Sequence, residues 1–327
     1  MKAMLCKEYG PPESLVLTEL PSEPVGAQQV KIGVHACGVN FPDLLIIKGE
    51  YQFKPPLPFA PGGEVSGVVL EVGSDVKEFA PGDRVLGMTG WNGYADEVVI
   101  DSFRCMKIPS SMDYPTAAGL SMTYGTSYHA LVQRGQLKQG ETLLVHGAAG
   151  GVGTAAVEIG KLLGAKVIAS GGDDAKLERV RAAYGVEGVV NYRTESLKDR
   201  VKALTSGSGA DVIYDPVGGD IFEQSLRCIN WEGRLLVIGF ASGTIPAAKA
   251  NLILLKGCAV VGVFWGAFSA RDPETNQRNF EQLFNWHSEG KLKPLISHTF
   301  PLAKAADALN AVKNREVVGK AILTTGR

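Results

Sequence analysis

Two short stretches of the chain place isolated polar side chains among tight turns and apolar residues. The first, GVNFPD at 38–43, contains an asparagine and an aspartate, and the second, PGGEVSG at 61–67, contains a glutamate. Neither contains a cysteine or histidine, the side chains that zinc most often uses in proteins. The five cysteines of the chain are scattered without a C-x-x-C pair. This pattern argues against a zinc knuckle or a disulfide framework and is typical of a reducing cytoplasm.

A glycine-rich loop, HGAAGGVG at 146–153, gives the sharpest signal in the sequence. It follows a predicted strand at 142–147 and opens a predicted helix at 151–164. Glycines allow a close backbone approach to a pyrophosphate, and the helix N-terminus offers free N–H groups. The spacing is G-x-x-G-G-x-G, so a turn that only packs strand against helix is the alternative. The strand–helix context favours a dinucleotide site. Its predicted contacts are Ala149, Gly150, Gly151, Val152 and Gly153.

The second predicted strand of this region, KVIAS, ends in small residues at 170–172. An NAD site usually has an acidic residue at this point, whereas small residues leave room for a 2′-phosphate. Lys176 and the pair Tyr192 and Arg193 follow, and a phosphate between such side chains favours NADPH. Two aspartates at 173–174 argue against this, and the cations are alternatively solvated surface charges. The predicted contacts here are Ser170, Gly171, Lys176 and Tyr192.

The elements that must position these residues fall into two kinds of sequence. Residues 1 to about 120 consist of short β-type runs separated by glycine and proline, which predicts a partly open β-barrel or sandwich. A short helix is predicted to begin near Asn40. From about residue 113, strands alternate with helices, which predicts an α/β doubly wound parallel sheet. Two helices and a closing strand after about residue 268 are expected to return to the first domain.

Length, charge and hydropathy restrict the class of protein. The chain has 327 residues, which suggests two domains, and its net charge of −1 gives no global attraction for nucleic acid or an anionic membrane. No apolar run is long enough for a signal peptide or a membrane span. We therefore expect a cytoplasmic protein that acts on a small molecule, without a nucleic-acid or membrane partner.

Several stretches, in this order, resemble the medium-chain dehydrogenases/reductases, specifically the zinc-free quinone oxidoreductase branch. They are GVNFPD (38–43), PGGEVSGVV (61–69), VGSDVKEFAPGDRV (72–85), AAGGVG (148–153), NYR (191–193) and GKAILTTG (319–326). The resemblance implies a GroES-like β-barrel catalytic domain from residues 1–122 and 268–327, and a Rossmann NADPH-binding domain from 123–267. It also implies an active site in the cleft between these domains.

The resemblance further implies which residues lie near the chemistry. Zinc-dependent relatives have a cysteine ligand where Asn40 stands and a histidine ligand where Gly63 stands, so no metal site is predicted. Asn40, Asp43 and Tyr51 are the predicted catalytic residues, and a charge at a helix N-terminus is the alternative for Asp43. Tyr51 is the candidate donor of a hydrogen bond or a proton, with half-buried packing as its alternative. Glu64 is expected to be structural, and Lys320 is a weaker candidate.

On the cofactor side, the resemblance implies contacts from Thr126, Phe240, Phe264 and Trp265, with Thr123 as an alternative to Thr126. Trp265 is expected either to shape an apolar acceptor pocket or to pack a subunit interface. The strand near 258–264 often joins a homodimer edge to edge in this family, and we expect the same here.

The predicted reaction follows from the missing zinc ligands. Without a metal to polarise an alcohol, hydride transfer suits an acceptor that is already electrophilic. We therefore predict an NADPH-dependent reductase of a quinone or of a carbonyl-conjugated alkene (an enone or enal). The alternatives are an enoyl-CoA or acryloyl-CoA type of reductase, and an NADPH-binding crystallin-like or RNA-binding protein with little catalysis. Zinc-dependent alcohol dehydrogenation is disfavoured.

Overall fold

The computed structural model describes all 327 residues and divides them into two compact units. The first unit contains Met1–Met122 and Lys293–Arg327, and the second contains Thr123–Leu292. Strands are numbered β1 to β15 and α-helices α1 to α11 in chain order. None of the helices combines the length and apolar content that crossing a membrane requires.

The N-terminal part of the first unit is built mainly from short strands. They are β1 (Lys2–Leu5), β2 (Val16–Glu19), β3 (Gln29–Val39), β4 (Glu64–Val72), β5 (Arg84–Met88), β6 (Glu97–Asp101) and β7 (Cys105–Lys107). Two helices accompany them, α1 (Phe41–Ile46) and α2 (Tyr114–Ala118). At the start of α1, the Asn40 N–H donates to the Asp43 carboxylate at 2.8 Å, and Pro42 lies in the first turn. The helix predicted to begin near Asn40 is thus confirmed.

The C-terminal part of the first unit completes its sheet. It contains β14 (Ile296–Pro301), α11 (Ala305–Lys313) and β15 (Lys320–Thr324). The seven-stranded sheet has the order β14-β15-β3-β4-β5-β7, and β6 also pairs with β3. Strand β15 runs antiparallel to β3, with Ala321 opposite Val39. This pairing brings Lys320, at the start of β15, beside the residues that follow β3.

The second unit alternates strands and helices around a parallel sheet, as predicted. Its strands are β8 (Thr142–Val145), β9 (Lys166–Gly171), β10 (Gly188–Asn191), β11 (Ala210–Asp215), β12 (Ile229–Val237) and β13 (Ala259–Gly262), in the order β10-β9-β8-β11-β12-β13. Its helices are α4 (Gly151–Leu162), α5 (Asp174–Tyr184), α6 (Leu197–Leu204), α7 (Gly219–Cys228), α8 (Ala250–Lys256), α9 (Trp265–Arg271) and α10 (Pro273–Ser288). Helix α3 (Ser121–Tyr128) begins at the end of the first unit and continues into the second.

The second boundary between the units differs from the predicted one. The return to the first unit occurs at Lys293 rather than at 268, because α10 packs within the second unit. Asn276 on α10 accepts a hydrogen bond from the Trp265 indole at 2.9 Å. Asn279 on the same helix exchanges side-chain hydrogen bonds with Gln133 at 3.0 and 3.3 Å. The contact between Gln133 and Asn279 spans 146 residues, so local periodicity carries no signal for it.

Candidate active site

A closed network of polar side chains lies at the end of β3 in the first unit. Asn40 directly follows β3, Glu64 opens β4, and Lys320 opens β15. All three side chains are buried, and the Lys320 side chain is only 3% exposed. The antiparallel pairing of β3 with both β4 and β15 brings these three residues together from distant parts of the sequence.

The ammonium group of Lys320 uses its full donor capacity in this network. It donates to the Asn40 carboxamide oxygen at 2.7 Å, to the Glu64 Oε1 at 2.8 Å and to the Val39 carbonyl at 3.1 Å. The Asn40 amide nitrogen donates to the same Glu64 oxygen at 2.8 Å and more weakly to the Gly38 carbonyl at 3.4 Å. A buried charge is tolerated only when it is paired and hydrogen-bonded in this way. Both polar atoms of the Asn40 carboxamide are therefore engaged inside the protein.

Asp43 forms a second buried acid beside this network. Its Oδ2 accepts hydrogen bonds from the Asn40 N–H at 2.8 Å and from the Tyr94 hydroxyl at 3.1 Å. Burial raises the pKa of Asp43 from its ordinary 3.8 to about 6, although these two hydrogen bonds and the Lys320 charge oppose the rise. Burial and the Asp43 charge likewise hold the pKa of Tyr94 well above its usual range. The geometry gives Asp43 an internal role in fixing the start of α1.

Tyr51 is the predicted catalytic residue whose hydroxyl forms no hydrogen bond within the chain. Its ring is half-buried, packs on the core of the first unit and contacts Phe53 edge to face, with centroids 5.1 Å apart. Phe53 in turn approaches Trp91 at 5.8 Å. Burial, followed by the Asp43 charge, raises the pKa of the Tyr51 hydroxyl, so it remains a proton-bearing donor. The three rings form an aromatic cluster, Tyr51–Phe53–Trp91, with one available hydroxyl.

In the second unit, the glycine loop between β8 and α4 has the backbone that a diphosphate requires. Gly150 precedes the first turn of α4, and no side chain caps that helix end. The N–H groups of a first turn have no partners within the helix and point outward with the positive end of the helix dipole. A side chain at Gly153 would collide with the backbone of Gly147 and Ala148. The residues present therefore fit the diphosphate of a dinucleotide.

The end of β9 carries two cations that form no ion pair. Lys176 lies in the first turn of α5, and Arg193 follows β10 and approaches Gly172 closely. The two nearby acids are already engaged. Asp173 caps α5 by accepting the Lys176 N–H at 3.0 Å, and Asp174 accepts from the Asn191 amide at 2.9 Å. The ammonium of Lys176 and the guanidinium of Arg193 are therefore not paired with these carboxylates and can bind a 2′-phosphate.

The buried His146, which the sequence did not indicate as a site residue, contacts two serines and fixes the Ser170 side chain. The His146 Nδ1 lies 2.6 Å from the Ser170 Oγ, and its Nε2 lies 2.8 Å from the Ser225 Oγ. The Ser225 hydroxyl also donates to the Ile221 carbonyl at 2.7 Å and the Ser170 hydroxyl to the Val145 carbonyl at 3.2 Å, and the ring contacts both serines as a neutral imidazole. Burial lowers the pKa of His146 and favours this neutral form. The Ser170 hydroxyl is thus used internally, whereas Gly171 and Gly172 keep the strand end open.

Comparison with known proteins agrees with this arrangement. A family model described as an alcohol dehydrogenase GroES-like domain matches residues 26–125, and one described as a zinc-binding dehydrogenase matches 151–286. The quinone oxidoreductase-like protein 2 homolog of Nematostella vectensis is 43% identical, covering 99% of this chain and 89% of the relative. Human quinone oxidoreductase is 33% identical, covering 99% and 97%. The chain belongs to the quinone oxidoreductase branch of the medium-chain dehydrogenases/reductases.

A solved structure extends this comparison to the fold. The crystal structure of Escherichia coli quinone oxidoreductase complexed with NADPH is 29% identical, with a TM-score of 0.90, covering 99% of this chain and all of that one. The first unit of this chain matches the GroES-like domain model, and the second contains the doubly wound parallel sheet of a Rossmann-type domain. Within the present chain, the side chains of histidine, cysteine, aspartate and glutamate form no group of three that could hold a metal ion.

The aromatic residues predicted beside the cofactor in this quinone oxidoreductase-branch protein occupy different environments. Phe240 and Phe264 follow β12 and β13 at the carboxyl edge of the parallel sheet, where ligands of such sheets bind. Phe264 is 62% exposed, whereas Trp265 is only 8% exposed. The Trp265 ring lies against Gly125 of α3. The Trp265 ring is therefore packed inside the second unit, whereas Phe264 and Phe240, the latter 39% exposed, present accessible aromatic surface.

The crossing helix α3 contains both threonines that the sequence left as alternatives. Thr123 is buried, at 2% exposure, whereas Thr126 is half-buried. Of the two hydroxyl groups, that of Thr126 is the more accessible. The sequence did not indicate Tyr94 as a site residue, because its partner, Asp43, lies 51 residues away. Lys320 had one usable sequence signal, because a lysine at the start of an apolar closing strand requires a buried partner.

Proposed function

We propose that this oxidoreductase transfers a hydride from NADPH to a quinone or to an alkene conjugated to a carbonyl group, without zinc. The observation that carries the proposal is the Asn40–Glu64–Lys320 network. In zinc-dependent relatives, a cysteine ligand stands at the position of Asn40. Here, amide, carboxylate and ammonium groups bond one another at 2.7 to 2.8 Å. The position is filled by groups that complete their own hydrogen bonds, which favours an acceptor that needs no Lewis acid.

The second unit supplies the binding site for NADPH. The N–H groups at the start of α4 bind the diphosphate, and the absence of a side chain at Gly153 lets α4 pack closely on Gly147 and Ala148 of the loop. Lys176 and Arg193 bind the 2′-phosphate, because neither cation has an acidic partner in the protein. Bound NADPH supplies the hydride, and with it the two electrons that the reduction requires. The chain itself contributes orientation, exclusion of water and hydrogen bonds.

The first unit supplies the surface for the acceptor. The aromatic cluster Tyr51–Phe53–Trp91 offers flat apolar area for a planar conjugated molecule. As the hydride reaches the acceptor, negative charge develops on the acceptor oxygen, and the Tyr51 hydroxyl donates a hydrogen bond to it. A proton from solvent or from Tyr51 then completes the reduced product. Asn40 and Asp43 act indirectly in this scheme, because their polar atoms hold the start of α1.

The test is a steady-state screen with NADPH against an ortho-quinone, a simple enone, an enal and a short enoyl-CoA. We expect NADPH oxidation with the quinone or the enone, and much weaker oxidation when NADH replaces NADPH. Tight NADPH binding with no turnover of any acceptor would contradict the proposal and favour a binding protein. Turnover of the enoyl-CoA alone would move the acceptor class to CoA esters.

We also propose that two copies of the chain pair through β13. This strand is an edge of the six-stranded sheet, and its outer side has no neighbouring strand in the chain. Large apolar residues lie exposed in the same region, with Leu254 at 79% and Trp231 at 65% exposure. Unpaired sheet edges and exposed apolar patches are the surfaces that proteins normally cover.

A further inference from the structure

The carboxylate of Glu64 lies at the start of α3, the helix that leads from the first unit into the second. Its Oε2 accepts a hydrogen bond from the Met122 N–H at 2.8 Å and another from the Ser121 hydroxyl at 2.6 Å. The first N–H groups of a helix have no partner within the helix, and a negative charge there also meets the positive end of the helix dipole. Glu64 therefore anchors the first turn of α3 from a different strand.

Lys320 makes this anchor possible. Glu64 is fully buried, so its charge needs a counter-charge within hydrogen-bonding distance. The Lys320 ammonium provides it at 2.8 Å through Oε1, which leaves Oε2 free for α3. Packing also holds the carboxylate in place, because a side chain at Gly38 would collide with Glu64 Oε1 and the Ala118 carbonyl. Lys320 thus holds the Glu64 carboxylate in one position, and this carboxylate holds the start of α3.

The far end of α3 is tied to the nucleotide loop. The Ser127 hydroxyl donates to the Val152 carbonyl at 3.0 Å, and Val152 lies in the first turn of α4. Thr126, the accessible threonine of α3, lies five residues after Ser121, about one and a half helical turns along. The far end of α3 is thus held on the nucleotide loop, so a shift at the start of this short helix acts mainly on Thr126.

We propose that Lys320 is a positioning residue for the cofactor: through Glu64 it sets the start of α3, and α3 sets Thr126 against the nicotinamide end of NADPH. This inference rests on the proposed function, because it assumes that NADPH binds with its nicotinamide beside Thr126. Lys320 itself does not touch the cofactor in this scheme. Its removal should therefore disturb the nicotinamide end more than the phosphates, whose ligands all lie in the second unit.

The experiment compares Lys320→Met with the double variant Glu64→Gln/Lys320→Met. NADPH affinity is measured by calorimetry, the nicotinamide environment by the fluorescence of bound NADPH, and turnover with the best acceptor of the screen. For Lys320→Met we expect NADPH affinity within about 3-fold of the native value. Nicotinamide fluorescence should move towards that of free NADPH, and kcat should fall between about 10-fold and about 100-fold. The double variant removes both charges together, so it should recover most of the fluorescence and of kcat.

Two further variants make the outcome decisive. Lys313→Met removes an exposed lysine of α11 and should leave every measurement unchanged. Ser121→Ala removes one hydrogen bond to Glu64 without exposing a charge, and we expect a fall in kcat of about 3-fold in the same direction. Ser121→Ala carries the test if Lys320→Met does not fold.

Unchanged fluorescence and kcat in Lys320→Met, or in Ser121→Ala if that variant carries the test, would overturn the proposal. A loss in folded Lys320→Met that the double variant does not repair would also overturn it. If the native protein binds NADPH but reduces no acceptor, the proposed function fails, and the fluorescence and calorimetry still decide the role of Lys320.

Discussion

Selectivity for NADPH over NADH is the property that a single side chain should control most directly. We predict that Lys176→Ala weakens NADPH binding and leaves NADH binding nearly unchanged. The Lys176 ammonium forms no hydrogen bond or ion pair in the protein, and its side chain is half-buried at the start of α5. Because NADH lacks the 2′-phosphate, it has no group for this ammonium to bind. The NADH affinity of each variant is therefore the reference for its NADPH affinity.

The expected magnitude follows from the local charges. A hydrogen bond to a charged group contributes about 1.5–3 kcal/mol, which corresponds to about 10-fold to about 100-fold in the dissociation constant. Lys176 is partly open to solvent, which places the effect near the lower figure. Asp173 and Asp174 do not diminish it by pairing with Lys176, because one caps α5 through its backbone and the other binds Asn191. Arg193 remains in the variant and retains part of the selectivity.

The assay is calorimetric titration of both cofactors into the native protein, Lys176→Ala, Arg193→Ala and a control. Arg179→Ala is the matched control, because Arg179 is an exposed cation of the same helix without an ion pair. We expect Arg193→Ala to resemble Lys176→Ala and the control to match the native protein. Equal weakening of NADPH and NADH by Lys176→Ala would refute the reasoning, since a phosphate ligand cannot act on a cofactor without that phosphate.

Three further predictions follow from the first unit and the sheet edge. Tyr51→Phe should lower kcat at least about 10-fold, with NADPH affinity unchanged, if its hydroxyl stabilises the acceptor oxygen; an unchanged kcat in stopped-flow turnover would remove that role. Because burial raises the pKa of Asp43 from 3.8 to about 6, the folded protein binds this proton more tightly than the unfolded chain. The resulting stability is complete below pH 3.8 and lost as the pH rises through 6, a change of about 3 kcal/mol. Asp43→Asn should flatten the urea-unfolding profile over this range, and an equally steep profile would contradict the assignment. Val261→Lys on β13 should convert a dimer into a monomer by light scattering, whereas an unchanged mass would exclude this edge.

The local elements of this protein could be predicted because they depend on neighbouring residues. The helix after Asn40 begins where a proline and a carboxylate lie within one turn. The glycine loop is recognisable because strand, turn and helix follow one another directly in the chain. The strand–helix alternation of the second unit likewise reflects burial patterns a few residues long. The first boundary between the units, at residue 122, lies shortly after this change of pattern, which the sequence places near residue 113, and agrees with the boundary that the family resemblance implies.

The sequence by itself determined the change from short strands to strand–helix alternation, the glycine loop and the absence of cysteine and histidine from GVNFPD and PGGEVSG. Only the tertiary structure decided what the polar side chains of these stretches contact. Lys320 reaches Glu64 across 256 residues and Asn40 across 280, and both contacts depend on the pairing of β15 with β3. No local sequence pattern indicates contacts between residues so far apart in the chain, because they meet only when the strands pair in the folded sheet. The same pairing makes Asn40 part of a buried network in which both its carboxamide oxygen and its amide nitrogen are hydrogen-bonded.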